Sequence, residues 1–406
     1  MGRLCVREQL GPLAAINMES NTGKVQRRIF CVVTQGEVGG AQRFVLQLAH
    51  HLNRDGFRMH VVWGAESDNA LANALPPHTT HATVCHLVRN ISPWDDLRAV
   101  YELRRQMAHF QPDVVLCISS KAGFVGALAA AGLRRVLPGL RIIYRIGGWT
   151  FNDPWPAWKK RLYMWLERIS ARWKDIIVLN NSSDFDQTHR LGIRPRRNVV
   201  RIFNGLDPHL PILERSSARA FLSSKIHQTS DANSYEWIVG TVANFYPTKD
   251  LPTLVRAAAL TAGNVRFLVM GDGPQRRELE NLIVHYRLEG RFFLLGRVND
   301  AWKYLAGLDV FVLSSVKEGF PWVLLEAMAA MVPVVATCVG AVPEIIDDGV
   351  SGIICEPASS EQLAKAIGRL LESETLRHNL AVEGQQRILN RFSLSEMISE
   401  YEKLVS

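Results

Sequence analysis

From Arg27 onward the chain repeats one pattern of hydrophobicity. Short apolar runs occupy residues 29–33, 60–63, 114–118, 176–179 and 199–202, and recur at 238–242, 267–270, 310–313 and 332–336. Alternating polarity would mark strands with one face in water, whereas continuous apolarity marks strands covered on both faces, as parallel strands under helices are. Helix-length segments lie between the runs, at 41–52, 94–109, 251–261, 275–285 and 321–330. Strand and helix therefore alternate in both halves, which predicts an α/β protein of two doubly wound, Rossmann-like domains.

The halves meet at Asn204-Gly205-Leu206-Asp207-Pro208, a turn-rich stretch after the run at 199–202. The expected organisation is a disordered tail over 1–26, with Met18 as an alternative start, a first domain over 27–205 and a second over 206–390. A polar stretch at 214–235 leads into the second domain, and a last helix over 391–406 is expected to pack back near the first. A length of 406 residues suits two such domains.

Composition removes whole classes. Hydrophobic residues make up 47% and charged residues 21%, which excludes a disordered or collagen-like chain. The longest uncharged apolar run in the first half, 122–133, has twelve residues, against about 20 for a bilayer span. The stretch 320–342 is interrupted by Pro321, Glu326 and Pro333, so no transmembrane helix is expected. Residues 10–16 are too short for a signal-peptide core, and Val6 stands where a myristoylation signal needs Ser or Thr. The six cysteines include no C-x-x-C pair and sit mostly in apolar runs, so they read as reduced core residues of a cytoplasmic protein. Charge is unequally shared: residues 1–205 hold 28 Lys and Arg against 15 Asp and Glu, or +13, whereas residues 206–406 hold 19 against 24, or −5. A basic first half can meet nucleic acid, an anionic membrane or a phosphorylated acceptor, but it contains no nucleic-acid-binding module.

Three segments carry candidate chemistry. Thr34-Gln35-Gly36-Glu37-Val38-Gly39-Gly40-Ala41 joins a strand to a helix, where Gly39 and Gly40 let a ligand approach the backbone; equally, a tight turn needs Gly there. It is not G-x-G-x-x-G, which counts against a dehydrogenase. Gly271-Asp272-Gly273-Pro274 is a second strand-to-helix turn. After the run at 310–313, Glu318 stands in a loop and Glu326 in the following helix. The helical part of that interval rises only about 7.5 Å, so both carboxylates can face the crevice above the sheet. The N–H groups of Gly319 and Phe320, just before Pro321, can hold an anion between them. Two acceptor-only carboxylates beside an anion-friendly helix start suit a ligand with many hydroxyls and a phosphate, such as a nucleotide sugar. Glu326 is also flanked by Val323, Leu324, Leu325, Ala327 and Met328, and a carboxylate in such company needs a partner.

The pair Glu318 and Glu326, spaced E-x7-E, occurs with Gly271-Asp272-Gly273-Pro274, Gly39-Gly40-Ala41-Gln42-Arg43, Asn204-Gly205-Leu206-Asp207 and Val339-Gly340-Ala341-Val342-Pro343-Glu344-Ile345. Over residues 28–406 this set resembles the retaining glycosyltransferases of family 4, whose two Rossmann-like domains face a cleft in the GT-B arrangement. The resemblance implies that the second half binds a UDP- or GDP-sugar and that the first binds a polysaccharide, lipopolysaccharide or lipid-linked acceptor. By position, Glu318 would bond the transferred sugar, Glu326 the ribose hydroxyls, and Lys249 the diphosphate. Asn244, Gly271, Gly273, Gly319, Phe320 and Pro321 complete the implied donor site, and Gly39, Gly40, Arg145, Gly147 and Gly148 the acceptor side. Such enzymes generally need neither metal nor cofactor, and Asp184-Phe185-Asp186, though a D-x-D, reads as surface. Two positions depart from the family: Asn244 stands where Arg is common, and Gly147 where many members have His. A sugar-nucleotide epimerase of the same architecture, or a noncatalytic nucleotide-sugar-binding protein, are the alternative readings.

Residues 149–174 hold five of the ten tryptophans, and Trp158, Leu162, Trp165, Ile169 and Trp173 share helical spacing amid Lys159, Lys160, Arg161, Arg168, Arg172 and Lys174. Such a stripe either packs on the domain core with its cations outward or lies on an anionic bilayer. The first is expected here; the second would put the protein at the inner face of the membrane.

Overall fold

The computed structural model describes residues 26–37, 39–53, 55–66, 70–227 and 237–406. The expected tail, with Met18, and part of the polar stretch before the second domain lie outside these residues. The first sheet is seven-stranded and wholly parallel, in the order β3(Thr80–Val84)-β2(Phe57–Gly64)-β1(Arg27–Val33)-β4(Val114–Ile118)-β5(Arg141–Ile146)-β6(Ile176–Leu179)-β7(Asn198–Arg201). The second is six-stranded and parallel, in the order β10(Phe292–Gly296)-β9(Val265–Met270)-β8(Trp237–Val242)-β11(Val310–Leu313)-β12(Val334–Thr337)-β13(Ile353–Cys355).

Helices α1(Gly40–His51), α2(Ala70–Ala74), α3(Pro93–Phe110), α4(Ser120–Ala131), α5(Ala157–Ala171) and α6(Ser182–Arg190) connect the first sheet, and α7(Arg215–His227) precedes the second. There α8(Leu251–Leu260), α9(Arg276–His285), α10(Trp322–Ala329), α11(Val342–Ile345), α12(Ser360–Glu372) and α13(Glu374–Arg391) follow, and α14(Leu394–Val405) closes the chain. The central strands β1, β4, β8, β9 and β11 are buried almost throughout, because helices cover both faces. The two doubly wound domains predicted from the apolar runs are thus present.

The chain crosses between domains twice, side by side. Leu206 N–H donates to Phe392 O at 2.7 Å, and Leu394 N–H to Leu206 O at 3.1 Å. At Gly205 a Cβ would lie 2.7 Å from Leu394 Cα, so only glycine lets the crossings touch. Beyond them α14 returns to the first domain. The Tyr401 ring lies 4.8 Å from that of Phe44 on α1, and Arg141 Nη2 donates to Val405 O at 2.9 Å and Ser406 O at 2.6 Å.

Two expectations are corrected. The aromatic stripe of α5 faces solvent: Trp158 is 65% exposed and Trp165 58%. The inward face of α5 is taken by Glu167, Ser170 and Ala171, where Glu167 Oε2 holds the buried Lys174 at 3.0 Å and Glu167 Oε1 accepts Tyr144 OH at 3.0 Å. Among the cysteines, Cys31, Cys117 and Cys355 are buried free thiols, but Cys338 is exposed and Cys85 is disulfide-bonded. Cys85 sits half-buried just past β3 at the edge of the sheet, not in the core.

Candidate functional site

Strand order in the second sheet reverses between β8 and β11, the crevice where open α/β sheets bind ligands. The loops leaving these strands are tied together. Val316 N–H donates to Thr248 O at 2.9 Å, and Ser314 Oγ to Lys249 O at 2.9 Å. This brings Lys249 Nζ within 2.6 Å of Glu318 Oε1, which also accepts Ser315 Oγ at 2.6 Å. Glu318 is largely enclosed while Lys249 stays a quarter exposed, its side chain at 26%. The neighbouring turn after β9 needs both of its glycines: Gly271 has φ 151°, and a Cβ at Gly273 would lie 2.8 Å from Phe245 N. The side chain of Asn244 is exposed at the same rim and brings no charge.

Glu326, five positions into α10, is buried, and its Oε1 pairs with Arg43 Nη1 of α1, in the other domain. Burial raises the Glu326 carboxyl above its ordinary range, and the Arg43 charge and hydrogen bond pull it back. The Arg43 guanidinium also lies 4.6 Å from the centre of the Trp322 ring, at the start of α10. Gly40 belongs to this contact too, since a Cβ there would lie 3.5 Å from Trp322 Cδ1; Gly39 is the residue before the helix.

Backbone meets backbone along the rest of the seam. Gly148 has φ 122°, in the region that favours glycine, and a Cβ on it would lie 3.3 Å from Gly319 Cα. Lys317 pairs with Asp153, and Arg89 Nη1 donates to Tyr246 OH at 3.1 Å. Glu344 Oε1 accepts Ser182 N–H at 2.7 Å. Behind Gly147, buried Arg145 lies 4.1 Å over the Phe44 ring and donates to Asn204 Oδ1 at 2.7 Å, while Asn204 Nδ2 donates to Phe320 O at 3.1 Å. Arg145 is therefore buried within the first domain and reaches the second only through Asn204. Pro321 caps α10, and the N–H groups of Gly319 and Phe320 find no acceptor among the described residues.

The first sheet has its own reversal, between β1 and β4. There Thr34 Oγ1 and Ser119 Oγ lie 2.7 Å apart, and Ser119 holds φ 140°, a strained conformation costing about 1–3 kcal/mol in a non-glycine residue. These hydroxyls, Arg43, Ser315, Lys317 and Asp153 were not singled out by sequence reasoning. Arg43 had a readable signal, one helical turn after the Gly39-Gly40 pair. Asp184 is corrected from surface to buried: Asn181 Nδ2 donates to its Oδ2 at 2.8 Å and Asn152 Nδ2 to its Oδ1 at 3.1 Å. Asn181, the cap of α6 three residues earlier, was the clue. Among the described residues no group of three His, Cys, Asp or Glu is placed to hold a metal ion.

Two parallel-sheet Rossmann-like domains, meeting across a cleft with their switch points on it, define the GT-B class. Residues 39–205 match the family model "Glycosyl transferase 4-like domain" and residues 223–387 the model "Glycosyl transferases group 1". Together these span most of the chain, and the chain is a glycosyltransferase. It is 25% identical to the lipopolysaccharide core biosynthesis glycosyltransferase LpsE of Rhizobium meliloti, over 91% of this chain and 97% of that one. It is 24% identical to the UDP-Gal:alpha-D-GlcNAc-diphosphoundecaprenol alpha-1,3-galactosyltransferase of Escherichia coli, over 90% and 93%. The crystal structure of Anabaena Alr3699/HepE in complex with UDP-glucose superposes with a TM-score of 0.76 at 23% identity, covering 93% of this chain and 99% of that one.

Proposed function

We propose that the enzyme transfers a sugar, with retention at the anomeric carbon, from a nucleoside-diphosphate sugar to a polysaccharide, lipopolysaccharide or lipid-linked acceptor. The observation that carries this is the Lys249–Glu318–Ser315 cluster at the β8/β11 switch point, with the buried carboxylate of Glu326 on the helix that follows. A UDP-sugar is the favoured donor, because the Escherichia coli relative is named for UDP-Gal and the Anabaena structure holds UDP-glucose.

In this reading Glu326 accepts the ribose hydroxyls and Glu318 the hydroxyls of the transferred sugar. Lys249 and the N–H groups of Gly319 and Phe320 meet the diphosphate. As the bond from the anomeric carbon to the diphosphate breaks, the acceptor oxygen bonds that carbon on the same face and its proton passes to the departing phosphate. Fixed positive charge aimed at the leaving group lowers this barrier. The acceptor lies against the first domain, near Gly39, Gly40, Gly147 and Gly148, and the protein works at the inner face of a membrane.

The test is turnover with a panel of labelled UDP- and GDP-sugars and membrane-extracted acceptors, with the product configuration read by NMR. Release of nucleoside diphosphate with a retained anomeric configuration is expected, and its loss in Glu318→Ala. Inversion would overturn the mechanism, an epimerised sugar nucleotide without acceptor would favour an epimerase, and binding without turnover a noncatalytic role.

A further inference from the structure

The outer faces of α3 and α5 carry large apolar side chains that the rest of the described chain leaves uncovered. On α3, Trp94 is 77% exposed, with Leu97 and Tyr101 following at helical spacing; on α5, Leu162 lies exposed between Trp158 and Trp165. Helix α4 packs between the two, and its Phe124 and Leu128 are half-buried, so both stripes border one layer of the first domain.

Charge on these helices is sorted by direction. Every carboxylate is engaged: Asp95 accepts Ser92 Oγ at 2.6 Å, Asp96 pairs with Lys121, Glu102 accepts Cys85 N–H at 2.8 Å, and Glu167 holds Lys174. Exposed Arg98, Arg105, Arg161 and Arg172 make no ion pair among the described residues. Aromatic rings and arginines on one face, with two of the four carboxylates paired to lysines and the other two held by local hydrogen bonds, match the headgroup layer of an anionic bilayer, where Trp and Tyr lodge and cations meet lipid phosphate.

We propose that the outer faces of α3 and α5 together seat the protein on an anionic bilayer, as a peripheral contact. Among the described residues no helix is long and apolar enough to cross a membrane. The seat borders the cleft at both helices. Arg89, just before α3, contacts Tyr246 of the second domain, and Asp153, just before α5, contacts Lys317. Trp94 and Trp158 stand in the first turns of their helices, so the mouth of the cleft opens beside the headgroups. That orientation toward a lipid-linked acceptor rests on the proposed transfer; the bilayer contact does not.

The experiment is cosedimentation of the full chain with vesicles of phosphatidylcholine alone or mixed with phosphatidylglycerol. Binding to the mixed vesicles only is expected, and it should fade with salt, since exposed charges are screened over about 8 Å at physiological ionic strength. The α3 pair Trp94→Ser with Tyr101→Ser, the α5 pair Trp158→Ser with Trp165→Ser, and Lys159, Lys160 and Arg161 changed together to Glu should each lower partitioning roughly tenfold. The unfolding temperature and UDP binding of the two serine pairs should not move, because those four side chains are exposed. An α3 pair that sediments like the wild type would overturn the two-helix seat, as would equal binding to phosphatidylcholine or none to phosphatidylglycerol. So would a dimer in analytical ultracentrifugation that the four serines convert to monomer, because a second copy would then cover the face. Vesicle binding without any sugar transfer would support the seat while sinking the catalytic reading.

Discussion

At the scale of single residues, the charge of the cleft comes from both domains. Asn244 brings none, so the proposed donor site relies on Lys249, and Lys249→Ala should cost about 2–4 kcal/mol in transition-state stabilisation, read from kcat/KM. Near-normal rates in that variant would mean that another cation holds the diphosphate. Arg43 acts one step back, through Glu326. Burial drives that carboxyl upward and Arg43 opposes it, so Arg43→Ala leaves burial unopposed and the group protonates at higher pH. Donor binding that needs the ionised carboxylate should then fail at higher pH: the acid limb of the kcat/KM profile shifts upward, and Arg43→Lys restores part of the shift. An unmoved limb would remove Arg43 from the site. That Glu326 needed a partner was legible from its apolar neighbours. Which partner was not, since Arg43 lies 283 positions away on another domain.

At the scale of elements, most strands read from sequence were those buried on both faces; the edge strand Asn198–Arg201 was read as well, from its two adjacent valines. The edge strands Thr80–Val84, Phe292–Gly296 and Ile353–Cys355 were passed over: Thr80–Val84 is largely exposed and polar, and Ile353–Cys355 is only three residues long. Arg141–Ile146 was hidden by two arginines, of which Arg145 tolerates burial only because Asn204, Phe44 and Tyr401 surround it. The period of α5 was legible too, but period does not say which face a neighbouring helix has already covered. The glycine seam is likewise invisible one domain at a time. Gly319→Ala would set a Cβ 3.0 Å from Gly148 N and closer still to the Gly147 carbonyl, so the domains must part. A displacement of that kind can cost up to about 100-fold in rate, and small-angle scattering should show a larger radius of gyration. A variant as compact and active as the wild type would show that the seam yields.

At the scale of the whole molecule, the two domains are not independent beads. Leu394, Met397, Ile398, Tyr401 and Val405 of α14 are buried, and each large apolar side chain so placed contributes about 1.5–3 kcal/mol. Against a typical domain stability of about 5–15 kcal/mol, removing residues 394–406 should leave the first domain insoluble or molten. Tyr401→Ala alone should lower the first thermal transition by several degrees, while the second domain melts as before. Equal loss in both transitions would mean that α14 serves the pair of domains as one unit.

The return of α14 also bears on how the chain is made. Domains usually fold in the order they leave the ribosome, but here a helix synthesised after the entire second domain supplies the wall behind Arg145 and Phe44. The first domain must wait, half-finished, with a bare cation and an open aromatic face, until translation has passed the second. A message cut short, or a chain clipped at the crossing near Ser393, therefore yields no free-standing first domain. It yields a fragment whose exposed core marks it for chaperones and proteases, so that completion of the polypeptide becomes a condition for its survival.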